Sequence, residues 1–248
     1  MQGCASKSSF TRMDMSTLLH PDLRDALTGA APPVATRLTP SAVSLPILTS
    51  AGAAALEAEL SAAPMQPRRV LTRFDEGPSD WPLAASLGAL LAREVLPRVA
   101  RLVCEGADTA RLCDETFAYV LAYGGAGAGQ VDSGRVFRCH QDDADLTLAV
   151  CIGTVAGWRG ADLLYVTPSA GAASKRPGTP DLNDASTATV CHEHALGVGV
   201  LHDGSAYHMV SPLLEGERLT LVVMAMRDDA AWKRTFFRRE NASHDHET

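Results

Sequence analysis

With 248 residues, 46% of them hydrophobic, the chain can bury a sizeable core as one large domain or two small ones. A formal net charge of −7 excludes the clustered cationic surface that nucleic acid or an anionic membrane requires. The single basic run, Lys233-Arg234 to Arg238-Arg239, reads as a solvated helix face. The six cysteines (Cys4, Cys104, Cys113, Cys139, Cys151 and Cys191) form neither a CxxC pair nor a framework spacing, which excludes a zinc ribbon and a disulfide scaffold. No signal-like start and no apolar run of roughly 18 residues is present, so a soluble, reduced, cytoplasmic protein is expected.

Residues 1–36 are polar, then rich in Ala and Pro, and are expected to form a flexible extension. Within them Pro21 to Leu27, closed by Gly29, predicts one short helix. Ala42 to Leu48 reads as a strand, with Thr49 or Ser50 capping a helix over Ala51 to Ala63. Asp80-Trp81-Pro82 opens the longest helical pattern, in which Leu83, Leu87, Leu90, Leu91 and Val95 recur at three-to-four spacing. Pro97 kinks or ends it, and Val99 to Val103 continues it. These helices, about 50–110, are expected to buttress one face of a sheet.

From Thr116 the period changes to two. Strands are predicted near 116–123, 135–142, 146–152, 161–167, 197–202, 206–213 and 217–226, joined by Gly-rich turns. Many short strands of this kind predict an α+β fold: a double-stranded β-helix, or jelly roll, over about 116–227, buttressed by the N-terminal helices. The stretch Pro168 to Thr189 reads as a long loop, Asp228 to Arg239 as a terminal helix, and residues 241–248 as a tail.

His140-Gln141-Asp142 ends a strand-like run, so His140 and Asp142, two apart, share a face. With His208 from a later strand they make a 2-His-1-carboxylate set, which holds Fe(II) by three ligands and leaves the other positions open. In the last strand Arg218, Thr220, Val222 and Met224 share one face, opposite Leu219, Leu221 and Val223. An arginine and a threonine on an otherwise apolar face need a buried partner, and a carboxylate would satisfy both. The bland alternatives are a core histidine at His208 and an edge-strand arginine at Arg218; the coincidence of all four residues favours the site. His202 reads as structural or as lying behind a ligand, and His192 and His194 as surface histidines at a loop edge. Tyr119 and Tyr123 fall on one strand face, and Arg138 falls on the face of His140.

In this order the residues resemble the prolyl-4-hydroxylase-like branch of the Fe(II)/2-oxoglutarate-dependent dioxygenases, over roughly Leu38 to Arg227. The resemblance implies one oxygenase domain over 37–240, with His140, Asp142 and His208 as iron ligands. It implies Arg218 and Thr220, with Tyr123 beside them, as the residues that bind 2-oxoglutarate. It further implies O₂ as oxidant, ascorbate as an optional reductant, and hydroxylation of a peptidyl or free amino-acid side chain or of a small metabolite. Asp142 is intact, unlike in halogenating relatives, whereas Met224-Ala225-Met226-Arg227 stands where many relatives carry a Trp. Two rivals stay open: a silent jelly-roll binding module, and a metal-dependent hydrolase that would leave Arg218 unexplained. Neither nucleic acid nor a membrane is an expected partner, and the oligomeric state is open.

Overall fold

The computed structural model describes residues 15–62, 68–73, 81–103, 112–124, 139–142, 144–154, 157–167 and 188–227. Helix α1 (Pro21–Thr28) begins on a proline whose ring presets the helical φ, and ends at Gly29, which takes the left-handed φ of 78°. The surrounding segment is not loosely docked, as its composition suggests: Leu19 and Leu23 join the main core, and Leu18 is buried beside them. Strands β1 (Thr36–Thr39) and β2 (Ala42–Pro46) follow, and then helix α2 (Ser50–Ser61). Thr49 caps α2, its hydroxyl accepting from Gly52 N at 3.0 Å.

After strand β3 (Arg68–Arg73) comes helix α3 (Pro82–Leu90), whose N-terminus is capped from outside. The Glu59 carboxylate of α2 accepts from Leu83 N and Ala84 N, both at 2.8 Å. A wide turn over Leu91–Val95 then leads into helix α4 (Leu96–Val99). The cause is Pro97, which lacks an N–H and crowds the preceding turn, so Leu96 N reaches back to Leu91 O instead.

The remaining strands are β4 (Leu112–Tyr123), β5 (Leu146–Cys151), β6 (Trp158–Gly160), β7 (Leu163–Thr167), β8 (Ala188–His192), β9 (Val198–Asp203), β10 (His208–Val210), β11 (Leu213–Gly216) and β12 (Arg218–Arg227). A seven-stranded sheet has the order β1-β2-β9-β5-β12-β4-β3, a three-stranded sheet the order β10-β7-β8, and β11 pairs with β6. All pairings are antiparallel.

Strand alternation divides the large sheet into two faces. Leu219, Leu221, Val223 and Ala225 of β12 pack with Leu146, Leu148 and Val150 of β5 against Leu56, Leu60, Leu87, Leu91 and Val95 of the helices. On the opposite face Ala42 and Val200 meet Leu163, Tyr165 and Val210 of the small sheet, forming a second apolar layer between the sheets. The sequence places the long strands within a few residues but differs elsewhere. The expected strand over 135–142 is, in its described part, only a bridge between His140 and His208. The expected strand over 206–213 splits into β10 and β11, and β1, β3, β6 and β8 were not anticipated. The segments 135–138, 168–187 and 228–248 lie outside the described residues.

Candidate active site

Three donor groups converge where β10 begins. His140 and His208 form a two-way backbone bridge, each N–H donating to the other's carbonyl at 2.9 Å, which brings their ring centroids to 4.4 Å. Asp142 N donates to Gly204 O at 2.9 Å, and Gly204 N donates to Asp145 O at 2.9 Å, so the turn after β9 sets the Asp142 backbone. A side chain at Gly204 would collide with Ala144 O. Asp142 Oδ1 then lies 3.6 Å from His140 Nε2 and 3.7 Å from His208 Nε2.

The other carboxylate oxygen is held away from this point. Asp142 Oδ2 accepts the Thr147 hydroxyl at 2.5 Å and lies 3.5 Å from His202 Nε2. Burial by itself would raise the Asp142 pKa, but His202, His208, the Thr147 hydroxyl and His140 together hold it below 3.8. His208 Nδ1 donates to Ala206 O at 3.0 Å; a carbonyl only accepts, so the proton sits on Nδ1 and Nε2 keeps its lone pair. Burial, and then His202, lower the His208 pKa to about 4, so the ring is a neutral donor at ordinary pH. The His140 side chain is 45% exposed, whereas those of Asp142 and His208 are 7% and 8% exposed, so the cluster opens on the His140 side. One nitrogen from each of two imidazoles and one carboxylate oxygen lie within 4.8 Å of one another, a donor set that suits Fe(II) and related divalent ions.

Arg218 lies on the same inner face as Thr220, two residues on, which pairs with Cys151 at the far end of β5, while Thr147 lies towards the near end. It is 1% exposed, and its guanidinium lies 4.4 Å from the centre of the Tyr123 ring, its pairing partner on β4. Arg218 Nε and Nη1, Thr220 Oγ1, Tyr165 Oη, His192 Nε2 and His194 Nδ1 are buried without hydrogen-bond partners. Buried polar atoms are ordinarily satisfied, so unpartnered ones such as these are what a polar ligand could satisfy.

Comparison with curated proteins gives two matches of one kind. The chain is 36% identical over 115 residues to human 2-oxoglutarate and iron-dependent oxygenase domain-containing protein 2, and 34% identical over 115 residues to its mouse counterpart. In sequence the chain is similar to 2-oxoglutarate and iron-dependent oxygenase domain proteins. The match covers 42% of this chain and 29% of either curated oxygenase, so the chain spans less than a third of the length of those relatives. No protein-family model matches. Among solved structures, a 2OG-Fe(II) oxygenase family oxidoreductase from Burkholderia pseudomallei covers 83% of this chain and 90% of its own, at a TM-score of 0.46 and 15% identity. A Pseudomonas putida prolyl-4-hydroxylase covers 83% of this chain and 98% of its own, at a TM-score of 0.47 and 15% identity.

Of the residues that the oxygenase resemblance singles out, His140, Asp142 and His208 come together at one point, and Arg218, Thr220 and Tyr123 at another. Arg138 lies outside the described residues. His202 is buried behind Asp142, its Nε2 3.5 Å from Oδ2. The histidines at 192 and 194 are corrected: both turn inward, with Cys191 and Glu193 on the outside. Thr147 and Tyr165 were passed over, because one Thr in an apolar strand and one Tyr after paired leucines carry no local signal. Cross-strand register alone aligns Thr147 with His202 and Tyr165 with His208.

Proposed function

We propose that the chain is an Fe(II)/2-oxoglutarate-dependent oxygenase built on a jelly roll, and that it hydroxylates a C–H bond of a peptidyl, amino-acid or small-metabolite substrate. The carrying observation is the pairing of a His-Asp-His cluster with a buried arginine, its Nε and Nη1 unpartnered, on one inner face. The strand order β9-β5-β12-β4 facing β10-β7-β8 supports the jelly roll. At a rise of about 3.3 Å per residue, Thr147 and Cys151 stand roughly 13 Å apart along β5, room for a small diacid between the cluster and the reaching Arg218 side chain.

His140 Nε2, Asp142 Oδ1 and His208 Nε2 would hold the iron. When bound, iron with 2-oxoglutarate and O₂ supplies an oxidative decarboxylation to succinate and CO₂ that is coupled to oxygen insertion into the substrate. The protein's own part is placement. Arg218 presents two free N–H groups to the far carboxylate, Thr220 adds a hydroxyl, and Tyr123 fixes the guanidinium plane. Thr147 keeps Asp142 single-toothed toward the cluster by occupying Oδ2. The apolar layer of Leu163, Val200 and Val210 keeps water from the deep end, and the open His140 side admits substrate.

The test is succinate formation from 2-oxoglutarate by the wild type and by His140→Ala and Asp142→Ala. Turnover in the wild type and its loss in both variants is expected; turnover that survives both substitutions ends the proposal.

A further inference from the structure

The arginine pocket contains more donors than Arg218 and Thr220. In β8, Val190 faces Tyr165 and His192 faces Leu163, and both of those partners belong to the layer between the sheets. Register therefore turns His192 inward, and His194 continues on that face past the strand end. The two rings meet edge to face, with centroids 5.5 Å apart and planes at 83°. His192 Nε2 and His194 Nδ1 are both buried and unpartnered, as are Arg218 Nε, Arg218 Nη1 and Thr220 Oγ1.

Burial and then the Arg218 charge lower the His194 pKa to about 2. Burial also lowers that of His192, with Asp162 and Glu193 opposing and Arg218 adding to the shift. Neutral imidazoles repel no anion, and the neighbouring Arg218 charge disfavours a cation, so the missing partner is an anion with free lone pairs. A carboxylate offers about four lone-pair positions. The Arg218 fork takes two and the Thr220 hydroxyl one, which leaves room for an imidazole N–H.

We propose that His192 and His194 are specificity-determining residues, a packed pair of neutral imidazoles, one of which donates the remaining hydrogen bond to the distal carboxylate of a dicarboxylic 2-oxo acid. This rests on the oxygenase reading above. It adds that selectivity for a second carboxylate is divided between β12 and β8, on opposite sheets.

Binding constants measured without oxygen on the Zn(II)-loaded protein test it, with 2-oxoglutarate and with 2-oxopentanoate, which has the same carbon chain but no distal carboxylate. The His192→Leu/His194→Leu protein should bind 2-oxoglutarate roughly tenfold or more weakly, the loss of a hydrogen bond to a charged group. Its affinity for 2-oxopentanoate should be unchanged. His192→Gln/His194→Asn, which keeps N–H donors, should recover most of the loss. Arg218→Met separates the two readings. If it weakens 2-oxoglutarate binding while the leucine variant does not, the histidine proposal alone falls. If neither matters, or the wild type binds no 2-oxoglutarate, the oxygenase reading falls with it. Equal weakening of both acids, or no recovery in the Gln/Asn protein, assigns the pair a purely structural role and overturns the proposal.

Discussion

Because the Thr147 hydroxyl occupies Asp142 Oδ2, the second oxygen is the one left facing the two imidazoles. Supporting hydrogen bonds of this kind change metal affinity by roughly 10–100-fold when removed. Thr147→Val should therefore weaken Fe(II) or Zn(II) binding by about that factor while leaving the urea midpoint close to the wild type; Thr147→Ser should bind almost normally. Metal titration of the three proteins checks this, and equal affinities would show that the carboxylate needs no holder. At this scale the sequence revealed the residues that cluster, because His140-x-Asp142 and Arg218-x-Thr220 are local patterns. It did not reveal Thr147, whose partner comes from another segment. His192 and His194 were misread because the Gly-, Ser- and Pro-rich stretch before them resembles a loop, although the alternation Val190-x-His192-x-His194 is already that of a strand with one face inward.

At the scale of elements, the turn after β9 carries the position of Asp142. Gly204 donates to Asp145 and accepts from Asp142, with Ala144 O pressed against the place of its missing side chain. Gly204→Ala forces that backbone apart, and overpacking of this sort costs about 1–3 kcal/mol. The expected outcome is a lower thermal midpoint together with a disproportionate loss of metal affinity; a midpoint shift with unchanged metal binding would show that Asp142 is placed by other contacts. Long elements were legible for a physical reason. β12 and β5 sit between two packed layers, so each residue type reports its face, and α3 keeps its apolar stripe up to the turn before Pro97. Short strands such as β6 and β11 were not legible, since their pairing depends on partners that no local period announces.

For the whole molecule, the site's histidines couple stability to pH. The His208 pKa falls from 6.5 to about 4 and that of His194 from 6.5 to about 2, and burial lowers that of His202 as well. Below 6.5 the unfolded chain takes up protons at these positions while the folded one does not, so acid favours unfolding. Asp142 acts in the same direction further down: its stabilisation is present above 3.8 and disappears as pH falls through its lowered value. The urea midpoint of the metal-free protein should decline steadily as pH drops from 6.5 towards 4; a level or rising midpoint would mean that these rings are already charged in the fold. Among the described residues no helix is long and apolar enough to cross a membrane.

The two rows of β12 have one last consequence. Leu219, Leu221 and Val223 anchor the helices, while Arg218, Thr220 and Val222 take the opposite face, and a single backbone carries both. Sliding that strand by one position would thrust a guanidinium into the oily layer and turn a leucine to the face that Arg218 occupies at the same moment. Insertions and deletions inside it are thus barred twice over, whereas exchanges within either row can be explored one side chain at a time.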